Sequence, residues 1–221
     1  MALTAEQLAE PGPVIPVIVI ERLADAAPLA RALLAGGVRV LEVTLRTPVA
    51  LAAIEAIARE VPDAIVGAGT VRSEEDARAA RRAGATFAVS PGFAASLSDA
   101  CRALDLPLLP GVATAGEVMA ASAAGHRFCK FFPAGAAGGP AMLKAWAGPF
   151  PDVAFCPTGG IDARSAADYL ALANVRVVGG SWLTPAEAVV GGDWSRVTRL
   201  AREAAALPRG RAAGAQRSPA S

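Results

Sequence analysis

One lysine of the sequence lies within a run of apolar residues. Lys130 is flanked by Phe128, Cys129, Phe131 and Phe132, a pattern typical of a strand that is covered on both faces. Lysine is rarely buried unless it is paired or functional. Burial disfavours the charged form of an amine, and a neutral amine is a nucleophile that can form a Schiff base with a carbonyl substrate. The alternative is a strand-end lysine whose ammonium group reaches solvent.

A second candidate group lies in the run Val40–Thr47. Strand alternation puts Glu42, Thr44 and Arg46 on one face. A buried carboxylate is costly unless it is paired or acts as an acid or base, and the donor fork of an arginine suits a substrate carboxylate. We expect Glu42 to be an acid–base group and Arg46 to bind an anion. A structural ion pair between the two is the alternative.

Two glycine pairs follow apolar runs late in the chain. Thr158 precedes Gly159-Gly160, and Ser181 follows Gly179-Gly180. Consecutive glycines let backbone N–H groups approach an anion closely, and the phosphate site of an α/β barrel is often built from the loops after strands seven and eight. The pairs therefore predict a phosphate site, with simple tight turns as the alternative.

A repeating set of elements must position these residues. Apolar runs start roughly every 20–25 residues, with alanine-rich segments of helical spacing between them. The runs are Val14–Ile20, Val38–Leu45, Ala64–Ala68, Thr86–Ser90, Leu106–Pro110, Arg127–Phe132, Val153–Pro157 and Val175–Val178. Eight strand–helix units predict an α/β fold, a single-domain (β/α)8 TIM barrel. The active sites of such barrels lie at the carboxyl ends of the strands. A doubly wound open sheet is disfavoured because no G-x-G-x-x-G follows the first run.

The ends of the predicted elements agree with this division. Ser73 and Thr114 each open a Ser/Thr-x-x-acid capping pattern before a helical segment. We expect residues 1–207 to form the barrel domain with a short N-terminal helical segment. Residues 208–221 are rich in Arg, Gly, Ala, Ser and Pro and are expected to form a disordered tail.

Composition argues against several classes of protein. The net charge is +1, from 21 Lys and Arg against 20 Asp and Glu, and no basic stripe with interleaved aromatics indicates a nucleic-acid surface. No apolar run approaches the roughly 18 residues that span a bilayer, and the N-terminus lacks the features of a secretory signal. Three cysteines without CxxC spacing are typical of free thiols in the cytoplasm. A single histidine, His126, argues against a histidine metal site or a Ser-His-Asp triad, and we expect it to be structural.

Several of these runs together resemble the bacterial 2-keto-3-deoxy-6-phosphogluconate (KDPG) aldolase and 4-hydroxy-2-oxoglutarate aldolase family. They are Val38–Thr47, Ile65–Val71, Ser90–Gly92, Lys130–Ala134, Phe155–Ile161 and Gly179–Leu183. The match covers roughly Gly12–Ala206. It implies a class I aldolase, a Schiff-base enzyme on a (β/α)8 barrel that cleaves KDPG to pyruvate and glyceraldehyde 3-phosphate in the Entner–Doudoroff pathway. It also implies a small-molecule substrate, a homotrimer, no metal or organic cofactor, and cleavage of 4-hydroxy-2-oxoglutarate.

The resemblance also implies roles for individual residues. Lys130 matches the Schiff-base lysine and Glu42 the acid–base residue, while Arg46 and Thr70 match the residues that hold the pyruvate carboxylate. Positions that line the pocket and bear on stereoselectivity match Pro91, Phe132, Thr158 and Ser181. The phosphate end matches Gly159, Gly160, Gly180 and Ser181.

Two positions depart from the family pattern. Val19 stands where many members carry an arginine, and Gly135 stands where a glutamate often follows Pro-Ala. Both concern the phosphate end, so the breadth of substrates stays open. Alternatives are a related lyase acting on oxaloacetate or a galactonate epimer, and a barrel that only binds a phosphorylated ligand or serves as a scaffold. The presence of both Lys130 and Glu42 counts against the non-catalytic alternative.

Overall fold

The computed structural model describes residues 3–210, which contain short strands alternating with α-helices. The strands are β1 Val14–Ile18, β2 Val40–Thr44, β3 Ile65–Gly69, β4 Ala88–Val89, β5 Leu108–Leu109, β6 Gly111–Val112, β7 Phe128–Phe131, β8 Ala154–Pro157 and β9 Val178–Gly180. The helices are α1 Ala26–Ala35, α2 Ala50–Glu60, α3 Glu74–Arg82, α4 Ala95–Ala103, α5 Ala115–Ala123, α6 Gly139–Trp146, α7 Ala166–Leu170, α8 Ala186–Val190 and α9 Trp194–Ala205. Two 3₁₀ turns, Glu6–Ala9 and Leu23–Asp25, precede β1 and α1.

The strands pair in parallel and form two sheets. One has the order β5-β4-β3-β2-β1-β9 and the other the order β6-β7-β8. Only Pro110 separates β5 from β6, and an isolated parallel bridge joins Thr158, directly after β8, to Gly179 in β9. The protein therefore has an α/β fold in which these parallel strands form a curled sheet.

The predicted strand runs agree with the observed strands except at two places. The run Leu106–Pro110 is followed by a break in the pairing at Pro110, since proline has no N–H to donate to the ladder. The last predicted run is Val175–Val178, whereas β9 is Val178–Gly180 and Val175 makes only an isolated bridge. The other runs contain the observed strands to within one residue.

Both predicted helix caps are confirmed. The Ser73 side chain accepts a hydrogen bond from the backbone N–H of Asp76 at the start of α3. At the start of α5, Thr114 and Glu117 form a reciprocal capping box. These caps satisfy N–H groups that the first helical turn leaves free, so they fix the residue at which each of the two helices begins.

Buried apolar side chains form two cores. The outer core lies between the sheets and the helices and includes Leu33, Leu41 and Ile54. The inner core lies on the opposite face of the strands; its members are Leu8, Ala9, Ile15, Val40, Phe87, Val89, Leu109, Phe128, Ala154, Cys156 and Val177. Neighbouring strand residues alternate between the two cores, which explains why the runs are apolar at consecutive positions.

The first and last described segments meet at the amino ends of the strands. Leu8 and Ala9, in the first 3₁₀ turn, pack into the inner core, and Arg209 donates hydrogen bonds to the carbonyls of Ala9 and Glu10 at 2.6 and 3.3 Å. Of the predicted disordered tail, residues 211–221 lie outside the described residues. Within residues 3–210, no helix has the length and apolar character that a membrane crossing requires.

Candidate active site

Lys130 and Glu42 meet on the inner face of the strands. Lys130, on β7, donates a hydrogen bond from Nζ to Oε1 of Glu42, on β2, at 3.0 Å. The residues are only 4% and 3% exposed. Lys130 therefore does not reach solvent, and the ion pair of Glu42 is formed with Lys130 rather than with Arg46. A buried pair of this kind is costly to desolvate, which favours a functional reason for placing it there.

Glycines lie opposite these two residues on the neighbouring strands. The register partners of Lys130 and Glu42 on adjacent strands include Gly111 and Gly67. A Cβ atom at Gly111 would lie 2.3 Å from the backbone carbon of Pro91, so the loop after β4 closely approaches β6, the strand paired with the lysine strand. The Phe132 ring lies 5.3 Å from Lys130 Nζ, a distance at which the ring face attracts a cation.

The cysteines are unsuited to nucleophilic catalysis. Cys156 is the register partner of Lys130 on β8, and burial raises the pKa of its thiol to about 12. Burial also raises the pKa of Cys101 to about 11 and that of Cys129 to about 12. A thiol needs its thiolate form to attack a substrate. The three thiols are therefore poor candidates for the nucleophile.

Arg46 and Thr70 lie together at the carboxyl ends of β2 and β3. Arg46 donates a hydrogen bond from Nε to the Thr70 hydroxyl at 3.1 Å. Thr70 has a φ of 60°, a left-handed conformation that is rare for a threonine and is often found at functional sites. The structure thus brings together two residues that the sequence could relate only through the family resemblance.

The glycine-rich loops lie after β8 and β9. Gly159 and Gly160 have φ values of 98° and 73°, which require glycine-like backbone freedom. A Cβ atom at Gly179 would lie 2.2 Å from the hydroxyl oxygen of Thr158, so the two loops touch. Gly135 donates its backbone N–H to the Gly159 carbonyl at 3.0 Å. This departure from the family pattern therefore lies against the predicted phosphate loop.

A cavity of about 440 Å³ lies between the loops that follow β1 and β9. Its lining includes Val17, Val19 and Ser181. Val17 is the register partner of Glu42, so the cavity adjoins the same strand ends. Val19, the other departure from the family pattern, thus lines the same cavity as Ser181, a residue predicted to bind the phosphate.

His126 lies away from this arrangement. It shares a cavity of about 470 Å³ with Leu3 and with the N-terminal ends of β5 and β7. Its Nε2 atom lies 2.8 Å from the Ser98 hydroxyl, and burial lowers its pKa, with a smaller contribution from the charge of Arg102. Among residues 3–210, no three His, Cys, Asp or Glu side chains cluster as metal ligands would.

Sequence reasoning did not anticipate the role of the glycines inside β3. The predicted run Ala64–Ala68 already contains Gly67, whereas β3 extends to Gly69, and Cβ atoms at these two glycines would meet Phe87 and Glu42. The available signal was glycine inside an apolar run, which often marks a close approach of other groups.

Comparison with known proteins agrees with this geometry. The family model described as "KDPG and KHG aldolase" matches residues 5–200. The KHG/KDPG aldolase of Escherichia coli K12 is 54% identical over 201 residues, covering 91% of this chain and 94% of the relative.

Two solved structures are similar over nearly the whole chain. The Legionella pneumophila KDPG aldolase, captured with pyruvate as a covalent carbinolamine, has a TM-score of 0.88 at 50% identity and covers 90% of this chain and 97% of its own. The Zymomonas mobilis enzyme with 3-phosphoglycerate has a TM-score of 0.88 at 48% identity and covers 94% and 98%.

The fold, the buried lysine–carboxylate pair and these similarities define the protein as an aldolase, a carbon–carbon lyase. More narrowly, the chain belongs to the KDPG and KHG aldolase family.

Proposed function

We propose that this protein cleaves 2-keto-3-deoxy-6-phosphogluconate to pyruvate and glyceraldehyde 3-phosphate, as a class I aldolase of the Entner–Doudoroff pathway. The observation that carries the proposal is the buried contact of 3.0 Å between Lys130 Nζ and Glu42 Oε1. A site that only binds its ligand needs neither a nucleophilic amine nor an adjacent acid–base group. The carbinolamine with pyruvate in the Legionella relative supports the same chemistry here.

In the proposed mechanism, Glu42 accepts a proton from Lys130, and the neutral amine attacks the C2 ketone of the substrate. Loss of water gives a protonated imine, which serves as the electron sink. A base (Glu42, directly or through a water) removes the proton of the C4 hydroxyl. The C3–C4 bond then breaks, releasing glyceraldehyde 3-phosphate. Protonation of the remaining enamine and hydrolysis of the imine release pyruvate and restore Lys130.

Residues around the pair are proposed to hold the two ends of the substrate. Arg46 and Thr70 bind the carboxylate next to the ketone; their hydrogen bond at the strand ends supports this role. Pro91, Phe132 and Thr158 line the pocket between the two ends. The backbone N–H groups of Gly159, Gly160 and Gly180 and the side chain of Ser181 are proposed to bind the phosphate. The positive φ angles of Gly159 and Gly160 support this role.

A second activity, cleavage of 4-hydroxy-2-oxoglutarate, is proposed on the name of the E. coli relative, a KHG/KDPG aldolase. This substrate has a carboxylate where KDPG has its phosphorylated end. The ratio of kcat/KM for the two substrates measures how far Ser181 and its neighbouring glycines discriminate between these groups.

The proposal extends to the architecture. We propose that the two sheets close into one (β/α)8 barrel within residues 1–207. The single-residue gap between β5 and β6 and the Thr158–Gly179 bridge support closure. The family resemblance supports a cytoplasmic homotrimer that acts on a small molecule and needs no metal or cofactor. The composition of residues 208–221 supports a tail that the activity does not need. Light scattering tests the trimer, because the measured mass should be three times that of one chain. A variant that ends at residue 207 tests the tail and should keep full activity.

The experiment that tests the function is borohydride trapping with pyruvate, followed by peptide mass spectrometry. The chain contains only two lysines, Lys130 and Lys144, and Lys144 is exposed on α6. We expect a reduced pyruvyl adduct on Lys130 and none on Lys144. Absence of an adduct in folded protein, or equal labelling of both lysines, would favour the non-catalytic barrel. Exchange of pyruvate protons with D₂O gives an independent test, because a binding protein does not catalyse it.

A further inference from the structure

The carboxylate of Glu42 lies directly over the backbone of Gly69. A Cβ atom at Gly69 would lie 2.4 Å from Glu42 Oε1, 2.6 Å from its Cγ and 2.9 Å from its Cδ. Non-bonded heavy atoms are at their optimum about 3.5–4.0 Å apart. The side chain of Glu42 therefore occupies space that every amino acid other than glycine would fill.

Neighbouring side chains limit how Glu42 could move away from such a Cβ atom and keep its contact. Below it, the Phe87 ring fills the equivalent space over Gly67, where a Cβ atom would lie 2.4–2.5 Å from three ring carbons. Phe87 is itself fully buried. Beside it, Lys130 Nζ holds the carboxylate at 3.0 Å. Interiors packed to this density transmit a displacement rather than absorb it.

The backbone of Gly69 does not itself require glycine. Its φ lies outside the left-handed region in which glycine is favoured. Glycine within a strand also has a cost, because it adds no side chain to the packing. The advantage of glycine at this position therefore lies in the contact with Glu42.

We propose that Gly69 is a positioning residue for the aldolase reaction: the missing side chain sets the Glu42 carboxylate at hydrogen-bond distance from Lys130. This inference rests on the proposed function. Gly69 has no side chain to offer the substrate, so its effect on the acid–base geometry is exerted through Glu42. A methyl group at position 69 would separate the carboxylate from the amine while leaving both groups present.

The test is Gly69→Ala, with Gly116→Ala as the matched control. A Cβ atom at Gly116, in α5, has no neighbouring atom within 4 Å. We expect Gly69→Ala to lower kcat by at least about tenfold, because a displacement of about 1 Å in a catalytic group can cost up to a hundredfold. The KM for KDPG should change less than about threefold, and borohydride should still trap pyruvate on Lys130. The control should match the wild type in both constants.

Melting temperatures of Gly69→Ala, Glu42→Ala and the double variant test whether the new methyl group clashes with Glu42. The comparison also gives a result if Gly69→Ala alone does not fold. Removing the Glu42 side chain empties the space that the new methyl group at position 69 would enter. The double variant should therefore melt within about 2 °C of Glu42→Ala alone. A larger drop would show that this methyl group clashes elsewhere and would overturn the proposal.

Turnover separates this inference from the proposed function. Wild-type protein without aldolase activity contradicts the proposed function itself. Active wild type together with a folded Gly69→Ala variant of unchanged kcat overturns only the positioning role. A loss of pyruvate trapping in Gly69→Ala also overturns it, since Lys130 would then have been disturbed directly.

Discussion

The two ends of the inner strand face differ in chemistry although the same strands build both. At the amino ends, Val40 of β2 and Phe128 of β7 belong to the apolar inner core. Two residues further along, the same strands present Glu42 and Lys130. Two residues in a strand span about 7 Å. The difference shows that a stabilising layer and a reactive layer can be stacked within one set of short strands.

The apolar end affects the chemistry of the polar end. The inner core excludes water from beneath the Lys130–Glu42 pair, and charged groups interact more strongly where water is absent. Burying the pair also carries a desolvation cost, so the fold needs stability from elsewhere. The amino end should therefore control stability, and the carboxyl end should control turnover. Single substitutions at each end test this division.

The largest effect on turnover is expected at Lys130. Lys130→Ala removes the group that forms the covalent intermediate, so kcat for KDPG should fall at least about a thousandfold. A coupled assay for released pyruvate measures it. Lys144→Ala, which removes the other lysine of the chain from an exposed helix position, should retain wild-type turnover. A Lys130→Ala variant that keeps more than about a tenth of the wild-type activity would contradict the covalent role of Lys130.

The opposite result is expected at the amino end. Leu8 is 1% exposed and packs into the inner core, so Leu8→Ala should lower the free energy of unfolding by about 2–4 kcal/mol. Its kcat should stay within about twofold of the wild type at a temperature where both are folded. Urea unfolding measures the stability. Met119→Ala, at a site 64% exposed, is the matched control and should change neither quantity. A large fall in kcat for folded Leu8→Ala would show that the two ends are not separable.

Glu42→Gln tests the acid–base role within the carboxyl end. The amide cannot exchange protons as the carboxylate does, so kcat should fall at least about a hundredfold. Glu55→Gln, on the exposed face of α2, is the control for loss of a negative charge. Near-wild-type turnover of Glu42→Gln would mean that another group moves the protons.

The smallest effect is expected at His126, near the amino ends. Burial lowers its pKa in the folded protein, so the unfolded chain takes up a proton first as the pH falls. Its contribution to stability is therefore full above about pH 6.5 and decreases as the pH falls through its folded pKa. The loss should stay below about 1 kcal/mol, because the ring is partly exposed to solvent.

The pH dependence of unfolding in wild type and in His126→Gln measures this contribution. The variant should lose less stability than the wild type between about pH 7.5 and 5.5, a range chosen to span the ordinary histidine pKa of about 6.5. Turnover should be unaffected. A wild type that loses no more stability than the variant would contradict the direction of the shift.

The sequence predicted the strand positions well because the strands are covered on both faces. Runs such as Arg127–Phe132 are apolar at consecutive positions and are separated by capped helices, so their limits are local features of the chain. The end of the fifth run and the start of the last strand were less predictable. The pairing that resumes after Pro110 and the isolated bridge at Val175 depend on neighbouring strands.

The site was predictable in its residues and not in its contacts. The buried lysine and glutamate stand out in their own runs, but they are 88 residues apart, and no local pattern specifies that their side chains meet. The family resemblance related them, as it related Arg46 to Thr70. The close approach of Glu42 to Gly69 depends on side-chain packing across β2 and β3, which periodicity alone does not reveal.

The contact between Arg209 and the carbonyls of Ala9 and Glu10 has a consequence for rearranging the chain. This contact brings residues 9–10 and residue 209 together on the face opposite Lys130. A short linker could therefore join them into a ring, and new termini could be opened in an exposed loop without cutting a strand. Fusion partners attached at this face would stand clear of the substrate entrance. The protein is thus suited to circular permutation and to display on a larger scaffold with its reactive end facing outward.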